Sequence, residues 1–141
     1  MRTIKESDWR ELYSLHDSDI DHDHLKLFKI YNDLVGIINN NGTRKEFATV
    51  LIDMHAYSLS HFKREEHYMT KLAYPKIKQH KAYHRVYLYK VSIYNSELLS
   101  SKPPTKVEVV DFLRKWWKHH IAKNDLDYIN YKKSINSDIN Y

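Results

Sequence analysis

Seven side chains with metal-binding atoms punctuate this chain at regular intervals: His24, then His61 and Glu65, then His80 and His84, then His120 and Asp125. Two of the pairs stand four residues apart, a spacing that puts both side chains on one face of an α-helix, one turn from each other. Each such pair can grip one ion or two adjacent ions. Imidazole suits iron, zinc and copper alike, so the donors alone leave the metal open. His120 and Asp125 are five apart, and an ideal helix separates such residues by about 140°. They reach a common centre from the inward flank of their helix, or the helix loosens locally between them.

The chain's punctuation divides it into four helical stretches that would carry these donors. Asn39-Asn40-Asn41-Gly42 closes the first, because Gly42 and its Asn neighbours tolerate the left-handed conformation of a helix end. Thr43 with Glu46 forms a capping box for the second, and Pro75 fits the first turn of the third. Pro103-Pro104 ends that helix before Thr105 and Glu108 cap the fourth. Short connections make neighbouring helices antiparallel. The expected fold is therefore all-α, an antiparallel up-down-up-down four-helix bundle preceded by an N-terminal arm.

In that register the donors converge. His24 lies about 18 residues before a turn near residue 42 and His61 about 19 after it, so at about 1.5 Å per residue they stand at nearly one height. The centres of the His61/Glu65 and His80/His84 pairs are each about 10 residues from a turn near residue 73. His84 and His120 are each roughly 18 from one near residue 103. Solvent-facing histidines scattered by chance have no reason to satisfy that register, so the seven read as one metal site in one layer of the bundle.

Four segments carry a resemblance: Ile20-Asp21-His22-Asp23-His24; His61-Phe62-Lys63-Arg64-Glu65-Glu66; Tyr74-Pro75 with His80-Lys81-Ala82-Tyr83-His84; and Trp116-Trp117-Lys118-His119-His120-Ile121 leading to Asp125. With Trp9 ahead of them, they resemble the hemerythrin family in its single-domain bacterial form. The resemblance implies a non-heme centre of two iron ions per chain, bridged by the Glu65 and Asp125 carboxylates and by an oxo or hydroxo group. His80, His84 and His120 would complete one iron, and His24 and His61 the other, which is left one ligand short and takes up dioxygen. Phe62, Trp116, Trp117 and Ile121 would wall the oxygen pocket and exclude water that oxidises the irons irreversibly. Trp117 departs from the family, in which that position is usually aliphatic and often leucine. The bulkier indole either narrows the pocket, which slows ligand exchange, or turns outward.

Five imidazoles and two carboxylates differ from the carboxylate-rich sites of ferritin-like di-iron enzymes. Fewer negative donors support high-valent iron less, which favours reversible binding over oxygen cleavage. The expected activity is reversible dioxygen binding for transport or storage, not enzymatic turnover. Oxygen or redox sensing through a separate partner, and di-iron peroxide or nitric oxide chemistry, are the competing readings. A sensor would need an output module outside these residues, and turnover would need a proton-delivering group beside an aromatic and aliphatic pocket.

With 141 residues, two glycines and three prolines, the chain is sized for one helical domain. Its divisions are an arm over 1–20, a bundle over about 21–131 and a polar, Asn-rich tail over 132–141, expected to be a frayed helix end or disordered. Helical spacing nominates as core Leu27, Ile30, Leu34 and Ile37; Leu51, Met54 and Leu59; Val86, Ile93 and Leu98; and Val109, Phe112, Leu113 and Trp116. His16, His22, His55, His67 and His119 fall outside the donor register and read as solvated or partly buried residues without a metal role. Asp21 suits the N-cap of the first helix, with a hydrogen bond that orients a ligand as the second reading. Glu66 reads as a solvated charge, and Tyr128, one turn past Asp125, is placed to approach the site.

The net charge of +5 comes from lysines spread over all four helices among acids, a solubilising pattern rather than a nucleic-acid stripe. The runs Lys76 to Arg85 and Arg114 to Lys118 make at most local patches. Absence of cysteine excludes disulfides and thiolate ligands and fits the cytoplasm. The charged opening residues are no signal peptide, and no stretch approaches the roughly 18 apolar residues of a membrane span. A cytoplasmic monomer is expected, with dioxygen as ligand, no nucleic-acid or membrane partner, and at most a separate oxygen-delivery or signalling partner.

Overall fold

The computed structural model describes residues 1–138. A short helix α1 (Glu6–Tyr13) lies in the arm, followed by α2 (Ser18–Asn39), α3 (Arg44–Lys71), α4 (Ile77–Glu97) and α5 (Lys106–His119). A π-helical turn over His120–Asp125 leads without a break into α6 (Leu126–Ser134). Helices α2, α3, α4 and the run from α5 to α6 are the four rods of an antiparallel bundle. The pairing on α4 and α5 makes the direction plain: His84 meets His120, Tyr87 meets Trp116 and Tyr94 meets Phe112, so numbers rise on one rod as they fall on the other.

Polar caps start the rods. The hydroxyls of Thr43 and Thr105 accept the backbone N–H of Glu46 and Glu108 at 3.0 Å each, satisfying donors that a helix start leaves without a partner. Asp17, not Asp21, caps α2, accepting Ile20 N–H at 3.3 Å, so that rod begins inside the stretch assigned to the arm. Asp21 instead ties the arm down, accepting from Leu15 N–H at 2.9 Å and from the Ser14 hydroxyl at 2.7 Å. Pro75 precedes α4 rather than opening it, because Ile77 N–H closes a turn onto Tyr74 O at 3.3 Å. At the other end of the chain α6 reaches three residues into the polar tail, and 139–141 lie outside the described residues.

α2 ends with Gly42 N–H on Ile37 O at 2.8 Å and Asn41 N–H on Ile38 O at 3.2 Å, the Schellman arrangement. Asn41, not Gly42, takes the left-handed backbone, at φ 54°. Gly42 serves close approach: a Cβ there would lie 2.6 Å from Ile37 Cγ2 and 3.2 Å from Ile37 O. Gly42→Ala should lower stability by about 1–3 kcal/mol, the range of overpacking changes. A urea titration matching the parent would mean that the turn shifts aside without cost.

Leu27, Leu34, Leu51, Met54, Leu98, Val109 and Leu113 are buried as their spacing predicts, and Ile30, Ile37, Ile93, Phe112 and Trp116 are partly buried. Leu59 and Val86 point outward, at 36% and 63% exposure. The rotation of each rod explains both: Ser58, His61, Phe62 and Glu65 take the inward face of α3, and His80, His84, Tyr87 and Val91 that of α4. In the arm Trp9 is 1% exposed and meets Phe28 edge to face at 6.2 Å.

Candidate metal centre

Midway along the bundle the inward faces turn from aliphatic to ionisable. α2 contributes His24, α3 contributes His61 and Glu65, α4 contributes His80 and His84, and the two ends of the π turn contribute His120 and Asp125. All seven are between 0% and 3% exposed. They fall into two groups whose ligand atoms lie within 4.8 Å of one another: Glu65, His80, His84, His120 and Asp125, and His24, His61, Glu65 and Asp125. The groups hold five donors and four, and share both carboxylates.

Each carboxylate turns one oxygen to each group. Glu65 Oε1 lies 2.8 Å from His80 Nε2 and 3.0 Å from His84 Nε2, while its Oε2 lies 3.2 Å from His61 Nε2. Asp125 Oδ1 lies 3.1 Å from both His80 Nε2 and His120 Nε2, while its Oδ2 lies 3.1 Å from His24 Nε2. The π turn makes this possible. Its i→i+5 hydrogen bonding puts residues five apart one turn apart, so the local loosening, not a reach from the flank, aims His120 and Asp125 at one place.

The residues fit a cation. Both oxygens of Asp125 and both ring nitrogens of His24 are fully buried without a well-formed hydrogen bond, a costly arrangement for polar groups. The lone pairs of Asp125 and of His24 Nε2, which face one another at 3.1 Å, would be satisfied by a positive ion between them.

Without a cation these groups share protons instead. Burial pushes the Glu65 and Asp125 carboxyls up, yet the imidazoles around them hold both well below the usual carboxylate range. Burial disfavours protonation of His61 and His80, but the carboxylates overcome it and raise them from 6.5 to about 9 and about 10. A raised imidazole stabilises the fold fully below its unfolded value, and that contribution is lost as pH rises through the folded value. The metal-free protein should therefore melt at progressively lower temperature between pH 6.5 and about 10, whereas metal, which displaces the protons, should abolish that decline. Calorimetry showing a flat or rising midpoint for the metal-free chain would contradict this coupling.

Hydrogen bonds steady the donors from behind. His61 Nδ1 meets Asp23 at 2.9 Å, His84 Nδ1 meets Glu66 at 2.8 Å and His120 Nδ1 meets Asn124 Oδ1 at 3.2 Å. The Tyr128 hydroxyl donates to Glu65 Oε2 at 3.1 Å, the approach expected of it. Glu66 is thus more than a solvated charge, and Asp23, rather than Asp21, is the carboxylate that orients a histidine of the cluster. His16, His22, His67 and His119 are exposed and His55 is partly buried, all outside both donor groups.

Aromatic rings close the centre. Phe62 stacks on His84 at 3.8 Å and Trp116 on His120 at 4.3 Å, both on the five-donor side. Trp117 turns inward, 3% exposed, with its ring 6.0 Å from His24 and from His61; Phe62 also reaches His61, at 5.8 Å. Ile121 is likewise buried, at 1% exposure. The outward alternative for Trp117 does not occur, and Trp116 covers His120 rather than the four-donor group.

Comparison with known proteins gives this arrangement its family. The model of the hemerythrin HHE cation binding domain matches residues 16–131. The chain belongs to the hemerythrin family. Bacteriohemerythrin from Clostridium acetobutylicum is 28% identical over 126 residues, covering 86% of this chain and 98% of that relative. Bacteriohemerythrin from Stenotrophomonas maltophilia is 25% identical over 126 residues, covering 89% of this chain and 81% of the relative. The crystal structure of a wild-type hemerythrin superposes with a TM-score of 0.77 at 25% identity, covering 84% of this chain and 91% of the other. This hemerythrin is accordingly a helical-bundle iron protein with its metal-binding cluster buried among the rods. Among its described residues no helix is long and apolar enough to cross a membrane.

Proposed function

We propose that this hemerythrin binds dioxygen reversibly at a pair of irons, for transport or storage. The observation that carries the reading is the unequal division of donors, five and four, around two shared carboxylates. Glu65 and Asp125 would serve both halves, with His80, His84 and His120 completing the five-donor half and His24 and His61 the four-donor half. Irons held by these residues would supply the electrons for reversible dioxygen binding.

The surrounding side chains support a carrier. The four-donor half would hold its ion with one donor fewer, and the rings facing it are the Trp117 indole and the Phe62 phenyl. These rings exclude water and thereby limit irreversible oxidation. The Trp117 N–H donates to the Tyr87 hydroxyl at 3.1 Å, which holds the indole in place against this half. Tyr128 fixes the oxygen of Glu65 that faces this half, keeping the bridge oriented while a ligand comes and goes.

Anaerobic optical titration of the reduced, iron-loaded protein with dioxygen, followed by removal of the gas and iron analysis of the same sample, tests the reading. A pair of irons per chain and a visible charge-transfer band that appears and disappears with the gas are expected. Rapid irreversible oxidation without such a band would favour redox sensing or di-iron enzymology, and failure to take up iron would overturn the ligand assignment.

A further inference from the structure

Three donors from α3 converge on one buried carboxylate that is not itself in either donor group. Asp23, 5% exposed on α2, accepts through Oδ2 from His61 Nδ1 at 2.9 Å and from Arg64 Nε at 3.0 Å and Nη2 at 2.9 Å. Its Oδ1 accepts from the Tyr57 hydroxyl at 2.8 Å. The Arg64 guanidinium also lies over the Tyr57 ring at 5.6 Å, so the three side chains brace one another.

A carboxylate behind an imidazole does two things. It fixes the proton on Nδ1, leaving the Nε2 lone pair aimed at the centre, and it makes Nε2 a stronger donor by drawing on that proton. We propose that Asp23 is a positioning residue that sets the donor strength of His61, with Arg64 and Tyr57 tempering it. The inference rests on His61 being a metal ligand, as proposed above.

The setting makes Asp23 the stronger of two such levers. Glu66 stands behind His84 in the same way, but its side chain is 28% exposed against 8% for Asp23, and water screens it. Asp23 also acts on the four-donor half, where a stronger imidazole favours ferric over ferrous iron and so holds down the reduction potential where dioxygen would bind. Arg64 works against it: the guanidinium shares Oδ2 with His61 and draws its charge away from the Nδ1–H bond. Removing the carboxylate charge and removing the guanidinium must therefore push the potential in opposite directions.

Optical spectroelectrochemistry on the iron-loaded protein, with iron content measured on each sample, tests this. Asp23→Asn should raise the potential and weaken iron retention against a competing chelator by about 10- to 100-fold. Arg64→Leu should lower the potential, and Tyr57→Phe should lower it less. Shifts of one sign in Asp23→Asn and Arg64→Leu, or no shift while both melt earlier, would reduce Asp23 to a tie between two helices and overturn the proposal. Should Asp23→Asn not fold, Arg64→Leu and Tyr57→Phe decide alone, since Arg64 is 40% exposed: a lowered potential supports the proposal and an unmoved one overturns it. A parent protein that takes up no iron would sink the ligand reading and this inference together, whereas normal iron content with unmoved potentials sinks this inference only.

Discussion

Glu65→Ala should strip the protein of stably bound iron, leaving less than about a tenth of the parent's content after dialysis, a loss greater than any single histidine change produces. Glu65 is 0% exposed, and its two oxygens face different groups of donors, 2.8 Å from His80 and 3.2 Å from His61. Removing it takes a donor from both halves at once and deletes the anion that offsets two cations. His24→Ala subtracts from the four-donor half alone and should leave about half the iron. The same Glu65 change in the metal-free chain removes one buried acceptor that Tyr128 and His80 share, which costs about 1–3 kcal/mol. Iron analysis and a melting curve on one preparation separate the two effects. A folded Glu65→Ala protein that keeps its iron would remove Glu65 from the ligand set.

The fold was legible because its signals are local. Thr43, Thr105 and the Pro103-Pro104 break act on the backbone beside them, and a donor spacing of four needs only a helix to be read. Convergence on one layer followed from chain length between turns. What the linear pattern leaves out is rotation about each rod. Asp21 and Asp23 are both carboxylates near His24, and only the angle at which α2 meets α3 decides that Asp23 reaches His61 while Asp21 turns back to Leu15. Glu66 likewise had the right chemistry beside Glu65, but its contact with His84 depends on α4. The five-residue step from His120 to Asp125 was visible as a misfit; the π turn that resolves it has no spacing signature of its own, because the side chains it brings together are the reason it persists. Leu59 and Val86 were misplaced for the same reason, since the ionisable donors rather than the aliphatic stripe set the inward face.

Trp117→Leu should speed ligand exchange at the centre by about tenfold or more, a barrier change of roughly 1.4 kcal/mol. The indole is pinned in place: Nε1 donates to the Tyr87 hydroxyl at 3.1 Å, which pairs with Ser58 Oγ at 2.9 Å, which donates to Met54 O at 2.7 Å. That chain runs from α5 through α4 to α3, and Phe62 stacks on the indole at 5.6 Å. Access past a ring held on two sides requires these contacts to open together. Leucine keeps the site apolar but has no N–H to hold and less volume to fill the space, so stopped-flow on- and off-rates should both rise, and oxidation in air with them. The lost packing should also lower stability by about 2 kcal/mol. Trp116→Leu is the control, because Trp116 covers His120 on the five-donor side and should leave the rates near those of the parent. Unchanged rates in Trp117→Leu would show that ligands enter by another route. Equal acceleration in both variants would mean that loosening of the bundle, and not the indole beside His24 and His61, governs entry.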